Sequence, residues 1–224
     1  MIHQYQTDFG KNTYWVDENS GRKKLTGRSI NRISDKLGSE HKNNLKEIIK
    51  NAIENHEIKM DYETQRLVFR DVASSTNERT LISTIVPPRV FLTNTLVYLE
   101  PFDFELKGEK LSQTPIKYNI LYIEALFNSF VLDYYVRQRV TSHLNFFFVY
   151  ELPIPEVDNK LENKIIDTAK QLMNNNNRQI RATLEATIAR DVFKLSKEEM
   201  KRILDSFIYG DIDVELIKMV LDLM

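Results

Sequence analysis

Two polar, arginine-bearing stretches carry most of the recognisable chemistry in this sequence. The first is Arg70-Asp71-Val72-Ala73-Ser74-Ser75-Thr76-Asn77-Glu78-Arg79-Thr80. The second runs through Asn128-Ser129-Phe130, Tyr134-Tyr135-Val136-Arg137-Gln138-Arg139 and Ser142-His143-Leu144-Asn145, and ends at Leu152-Pro153-Ile154-Pro155. Such side chains hold phosphates and read base edges: arginine bonds guanine O6 and N7 together, and asparagine does the same for adenine N6 and N7. Arg70, Thr76, Asn77 and Arg79 are therefore candidate base or phosphate contacts. Arg137, Arg139, Ser142, His143 and Asn145 form a second candidate set. A purely structural origin stays open for both. Thr76-Asn77 can make a turn, with Arg70 paired to an acid such as Glu78. Arg137 and Arg139 can stabilise a helix C-terminus, with His143 and Asn145 bonded to backbone. A third group, Arg22, Lys23, Lys24 and Arg28 with Arg32, is the candidate for nonspecific phosphate contact, or else a solvated surface loop. Tyr14, Trp15 and Phe146 to Phe148 can stack on bases, although core packing is the stronger reading for them.

The elements that position these residues follow from hydrophobic periodicity. Tyr14-Trp15-Val16 reads as a short strand, and Ser20 to Asp35 as a polar, basic loop. His41 to Ile58 is a predicted helix, with Leu45, Ile48, Ile49, Ala52 and Ile53 at helical spacing. Arg66 to Val72 alternates, with Leu67 and Phe69 on one face and Arg66, Val68 and Arg70 on the other, as a strand does. Thr80 to Val86 and Leu96 to Leu99 read as further strands, and Lys107 to Thr114 as a loop. Tyr118 to Val140 is the strongest helix, carrying Ile120, Ile123, Phe127, Val131 and Tyr134 on one stripe. Asn145 to Leu152 reads as β-rich and ends at Pro153 and Pro155. Beyond them the pattern becomes helical: Lys160 to Met173, Gln179 to Phe193, a short helix opened by the capping box Ser196-Lys197-Glu198-Glu199, and Val214 to Leu223. The expected fold class is α+β: a mixed-sheet module with a long packed helix over residues 1–156, followed by a helical C-terminal region over 157–224.

The order Met1-Ile2-His3-Gln4-Tyr5, Arg70 to Thr80, Asn128-Ser129-Phe130, Leu152-Pro153-Ile154-Pro155 resembles the C-terminal part of type IIG restriction-modification enzymes and related adenine-N6 DNA methylases. It is also similar to the TaqI-type specificity domain. The resemblance covers roughly residues 1–157. It implies a noncatalytic target recognition domain that holds double-stranded DNA while a methylase catalytic domain, in the same or a separate chain, flips out an adenine. It also implies that S-adenosylmethionine belongs to that other domain and that this chain is a C-terminal fragment or split subunit. A cytoplasmic location is the expectation from the absence of cysteine, which fits a reducing compartment. The alternative is a protein-interaction or subunit-assembly module that uses the C-terminal helices.

Other chemistries find little here. The Asn/Asp-Pro-Pro-Tyr/Phe motif of adenine methylases is missing; Val86-Pro87-Pro88-Arg89 has neither the amide nor the ring. No glycine-rich or Gly-Lys-Ser/Thr phosphate loop occurs. Asp103 with Glu105-Leu106-Lys107 is too closely spaced for a metal-dependent nuclease set. His3, His41, His56 and His143 are widely separated and Cys is absent, so no metal site is expected and disulfides are excluded. Gly and Pro number only 6 each and 42% of residues are hydrophobic, which suits a packed core rather than disorder. Net charge is -1, but it is unevenly spread. Residues 1–60 hold 11 Lys+Arg against 8 Asp+Glu, a net of +3, while residues 151–224 hold 11 against 14, a net of -3. Any DNA-binding face must therefore be local. No apolar run is long enough for a membrane helix.

Overall fold

The computed structural model describes residues 2–7, 16–38, 44–74, 77–140, 143–144, 146–207 and 213–224. It is an α+β protein. The short strands β1 (Ile2–His3) and β2 (Gln6–Thr7) pair antiparallel at the start of the chain. The central sheet is antiparallel, with β3 (Arg66–Arg70) between β4 (Ser83–Val86) and β5 (Leu96–Tyr98). Leu67 lies opposite Ile85, and Phe69 lies between Ser83 and Val97. The expected alternation along β3 holds: Leu67 and Phe69 enter the main core, and Val68 packs on the other face with Ile2 and Val86.

Four expectations are corrected. Ser20 to Asp35 is not a loop but most of helix α1 (Glu18–Leu37). Its apolar stripe, Leu25, Ile30, Ile33 and Leu37, is sparse and interrupted by glycines. Tertiary packing on α2 (Leu45–Glu54) overrides the weak local propensity. Asp17 caps the helix by accepting from the Ser20 N–H at 2.8 Å, and Gly38 ends it at a positive φ of 82°. The stretch Lys107 to Thr114 is not a loop either. It turns through Gly108, at φ 63°, to join β6 (Phe102–Lys107) and β7 (Lys110–Pro115) in a hairpin that packs on α1 and α2. The aromatic run after Asn145 is a short helix, α5 (Phe146–Tyr150), rather than a strand. Of the helix expected from His41, residues 45–54 form α2, while 39–43 lie outside the described residues. Tyr14 and Trp15 lie outside them as well.

The long helix expected over Tyr118 to Val140 is two helices, α3 (Ile120–Phe127) and α4 (Phe130–Arg137). Asn128 and Ser129 break it. Ser129 caps α4 by accepting from the Leu132 N–H at 3.3 Å, and serine at such a position competes with helix continuation. The C-terminal elements match expectation closely: α6 (Asn159–Asn174), α7 (Arg178–Thr187) running into a π-turn at Ile188–Val192, α8 (Lys197–Asp205) and α9 (Val214–Leu223). The Ser196 capping box forms in both directions, with Glu199 Oε2 accepting from the Ser196 N–H at 2.8 Å.

One core runs from Tyr5 through Leu67, Phe69, Leu126 and Leu132 to Ile165, Leu172 and Ile188. It crosses residue 156 without a break, so the helical region packs into the same core as the sheet. Full burial of each large side chain contributes about 1.5–3 kcal/mol. A second cluster joins Phe130 and Val131 of α4 to Met200, Phe207, Leu216 and Val220. Among the described residues no helix is long and apolar enough to cross a membrane.

Candidate nucleic-acid interface

The fold brings the two polar stretches together. Val72 pairs with His143 in an isolated antiparallel bridge, and the Leu144 N–H donates to the Asp71 carbonyl at 2.7 Å. The His143 Nδ1 lies 3.1 Å from Asp71 Oδ2. Arg137 Nη2 donates to the carbonyls of Asn77 and Glu78. The loop after β3 is thereby fastened to the C-terminal end of α4.

The fastening is internal, and it uses arginines from both candidate sets. Arg79 is only 7% exposed. Its Nε lies 2.8 Å from Asp133 Oδ2, its Nη2 donates to the Asn128 carbonyl, and its guanidinium sits 4.1 Å from the Phe130 ring centre. Arg137 is buried too, against Asp133 and 4.2 Å from the Phe207 ring centre. Burial pushes its pKa down, with Asp133 opposing the shift. Arg70 donates to the Ile2 carbonyl, so its partner is backbone and not Glu78. As placed, Arg79 and Arg137 hold the loop and present no guanidinium to a duplex. Asn128 is likewise sealed inside. Its amide accepts from the Ser83 N–H and donates to the Ser83 carbonyl, both at 3.0 Å, extending the sheet edge with a side chain. Three neighbouring candidates remain outward. Asn77 is exposed beside a tight turn to Ser74. His143 is exposed. Arg139 is 41% exposed, held by Glu151 at 3.0 Å and stacked on Tyr135. Thr76, Ser142 and Asn145 lie outside the described residues.

The basic group near the N-terminus divides by helical phase, an order that a loop would not have supplied. Arg22 and Arg32 turn inward along α1. Arg22 donates to Glu63 and, at 3.0 Å, to the Ile53 carbonyl. Arg32 makes a two-pronged pair with Asp61, which also accepts from the Tyr98 hydroxyl at 2.8 Å. Lys23, Lys24 and Arg28 are exposed on the outer side of the same helix. Gly27 lies between them with open space where a Cβ would stand. Asn31, one turn further on, accepts from Lys46 Nζ at 3.0 Å, which brings a fourth cation beside the row. Asp61 and Glu63 are occupied on the inner side. On the outer face Asp35 stands exposed two turns beyond Arg28, so the positive charge is concentrated at Lys23, Lys24 and Arg28.

Sequence reasoning passed over the acids that organise the interior. Asp133 is fully buried and accepts from the backbone N–H groups of Thr80, at 3.0 Å, and Leu81, at 3.3 Å. Glu185 accepts from the Phe130 N–H at 2.9 Å. Glu124 accepts from the Ile85 N–H at 3.2 Å, and burial raises its pKa to about 8. Each interrupts an apolar helical stripe, which is the signal that marks them. Asp103 and Glu105 form no common site: Asp103 pairs with Lys36 at 2.7 Å and Glu105 with Lys107 at 3.1 Å. No protein-family model, curated protein or solved structure matches the chain.

Proposed function

We propose that this chain is a noncatalytic DNA recognition module, the target recognition region of a restriction-modification or phage-defence adenine-N6 DNA methyltransferase. The observation that carries the reading is the outer face of α1. Lys23, Lys24 and Arg28 stand there exposed, beside a glycine that lets a phosphate backbone come close to the helix. Phosphate contacts of this kind fix position on a duplex and carry no sequence information. Reading of bases falls to the exposed groups of the fastened loops, Asn77, Arg139 and His143. S-adenosylmethionine and the methyl-transfer chemistry belong to a separate catalytic domain.

The test is duplex binding at graded salt. Each lost phosphate contact lowers the slope of log K against log salt by about 0.9, so replacing Lys23, Lys24 and Arg28 together by alanine reduces it by about 2.7. Selection from a random duplex pool should enrich a motif with the native chain. An unchanged slope in the triple variant removes α1 from the interface, and a pool without enrichment ends the recognition reading.

A second reading is favoured by one specific feature. Leu99, Ile116, Ile123, Phe127, Leu152 and Ile154 line an apolar groove of about 330 Å³, with Tyr150 70% exposed at its edge. Such a groove suits a protein partner, and the catalytic domain of the same system is the partner this reading offers.

A further inference from the structure

A cavity of about 210 Å³ opens beside the cationic row of α1, between that helix and the segment leading from β4 into β5. Leu25, Arg28 and Ser29 line it from the helix, and Phe91, Leu92 and Asn94 from the segment. We propose that it receives one unpaired nucleobase of a strand whose phosphates lie on Lys24 and Arg28. The inference rests on α1 being a DNA-binding face, and it adds to that face a contact with a base that has left the stack.

A base is apolar on its two faces, polar along its edges and joined to an anionic phosphate. The lining offers a complement to each. Leu25, Phe91, Leu92 and Leu96 are half-buried and form apolar walls, against which a base gains as it does on other apolar and aromatic side chains. The Phe91 wall is fixed in advance, since its ring is stacked 4.9 Å from that of Tyr62. At the rim stand the Ser29 hydroxyl and the exposed Asn94 carboxamide, groups that both donate and accept. The Asn94 side chain has no hydrogen-bond partner among the described residues, so its donors and acceptor are open to a base edge. Lys24 lies one helical turn before Arg28, which places both cations where the phosphates flanking that base would pass.

The charge around the cavity is left positive at its mouth. Its lining acid, Asp61, is held through both oxygens by Arg32. Nearby acids are taken as well: Glu100 by Lys36 at 2.9 Å, Glu63 by Arg22, and Glu18 by Arg89 at 3.1 Å. Asp35 stands two turns beyond Arg28. Arg66 lies behind the wall, buried with its Nη2 on the Val90 carbonyl at 2.6 Å, and is no contact for a ligand. Arg28 differs from these cations. It is exposed, it lines the cavity, and it meets no carboxylate among the described residues. Size narrows the occupant further. Sites that enclose drug-sized molecules measure about 300–1,000 Å³, so the smaller space here suits a single base rather than two in a stack.

Fluorescence anisotropy of the full chain with three end-labelled duplexes of one sequence tests the proposal. The first is fully paired, the second carries a one-adenine bulge, and the third carries an abasic bulge at the same place. The two bulges share charge and flexibility, so their difference isolates the base. The adenine bulge should bind about tenfold more tightly than the abasic one, as stacking of a single base allows. Ser29→Tyr fills the mouth and should abolish that preference while the paired duplex keeps its affinity and salt dependence. Asn94→Ala, at an exposed position with no side-chain partner to lose, should lower the preference several-fold with the melting temperature unchanged. Equal binding of the two bulges overturns the proposal, and so does a preference that survives both variants. In either case, salt-dependent binding of the paired duplex leaves the DNA-binding role of α1 standing. If none of the three duplexes binds, both fail.

Discussion

Replacing Asp133 by alanine should be among the most damaging single changes available to this fold. The carboxylate is fully buried and meets two backbone donors and two guanidinium groups at once. It accepts from the backbone N–H groups of Thr80 and Leu81, lies 2.8 Å from Arg79 Nε, and lies 3.5 Å from Arg137 Nε. Asp133→Ala leaves two buried guanidinium groups without their shared counter-charge. Breaking a buried pair from one side costs about 3–5 kcal/mol. The two orphaned backbone donors cost about 1–3 kcal/mol each where water cannot reach them, and the losses overlap rather than add. An overall loss of at least about 3 kcal/mol is a large part of the roughly 5–15 kcal/mol that holds a domain together. The assay is urea unfolding followed by far-UV circular dichroism at neutral pH, with Asp133→Asn beside it. The amide keeps one acceptor oxygen and should fall between wild type and alanine. Arg79→Met completes a double-mutant cycle, in which neighbours sharing a network couple by about 0.5–3 kcal/mol. If Asp133→Ala costs less than about 1 kcal/mol, the size of an exposed ion pair, the claim that this carboxylate anchors the loop is refuted. Strict additivity with Arg79→Met would refute the shared network.

Two further predictions rest on the interior and on α1. Glu124 is neutral in the folded protein up to about pH 8, against 4.5 for an ordinary glutamate, so the native state binds the proton more tightly than the unfolded chain. Its contribution is complete below pH 4.5 and is lost as pH rises through about 8, by at most about 5 kcal/mol; Glu124→Gln should flatten that slope in urea titrations at pH 5 to 9, and an unchanged slope would exclude it. In α1, the same substitution should act in opposite directions at two glycines. A Cβ on Gly21 would stand 2.5 Å from Phe91, whose ring is stacked 4.9 Å from Tyr62 and has little room to yield. Gly21→Ala should destabilise by about 1–3 kcal/mol. Gly27 meets nothing within 4 Å, so Gly27→Ala should stabilise by about 0.5–1 kcal/mol through helix propensity. Melting temperatures that move together in the two variants would contradict the packing.

What the sequence made legible was periodicity, and what it concealed was burial. The alternation of Leu67 and Phe69 against Val68 and the box at Ser196 each depend on residues a few positions apart, and each reappears in the fold, while the stripe from Ile120 to Tyr134 is divided between two helices and two clusters. The errors come from interactions that are distant in sequence. Arg79 looked like a base reader because its partner, Asp133, lies on another element, beyond the reach of any local pattern. Arg181 meets Gln4 across a separation of 177 residues. Arg22 and Lys23 are adjacent and of like charge, yet one faces Glu63 and the other faces water, a division visible only once the segment is a helix. One signal was nevertheless present. Glu124, Asn128, Asp133 and Glu185 all interrupt apolar helical stripes, and a polar group cannot remain there without partners. An arginine elsewhere in such a chain is as much a partner for those acids as a ligand for phosphate. Matching the buried acids to their cations accounts for Arg79 and Arg137 inside the fold and leaves Lys23, Lys24 and Arg28 exposed on α1.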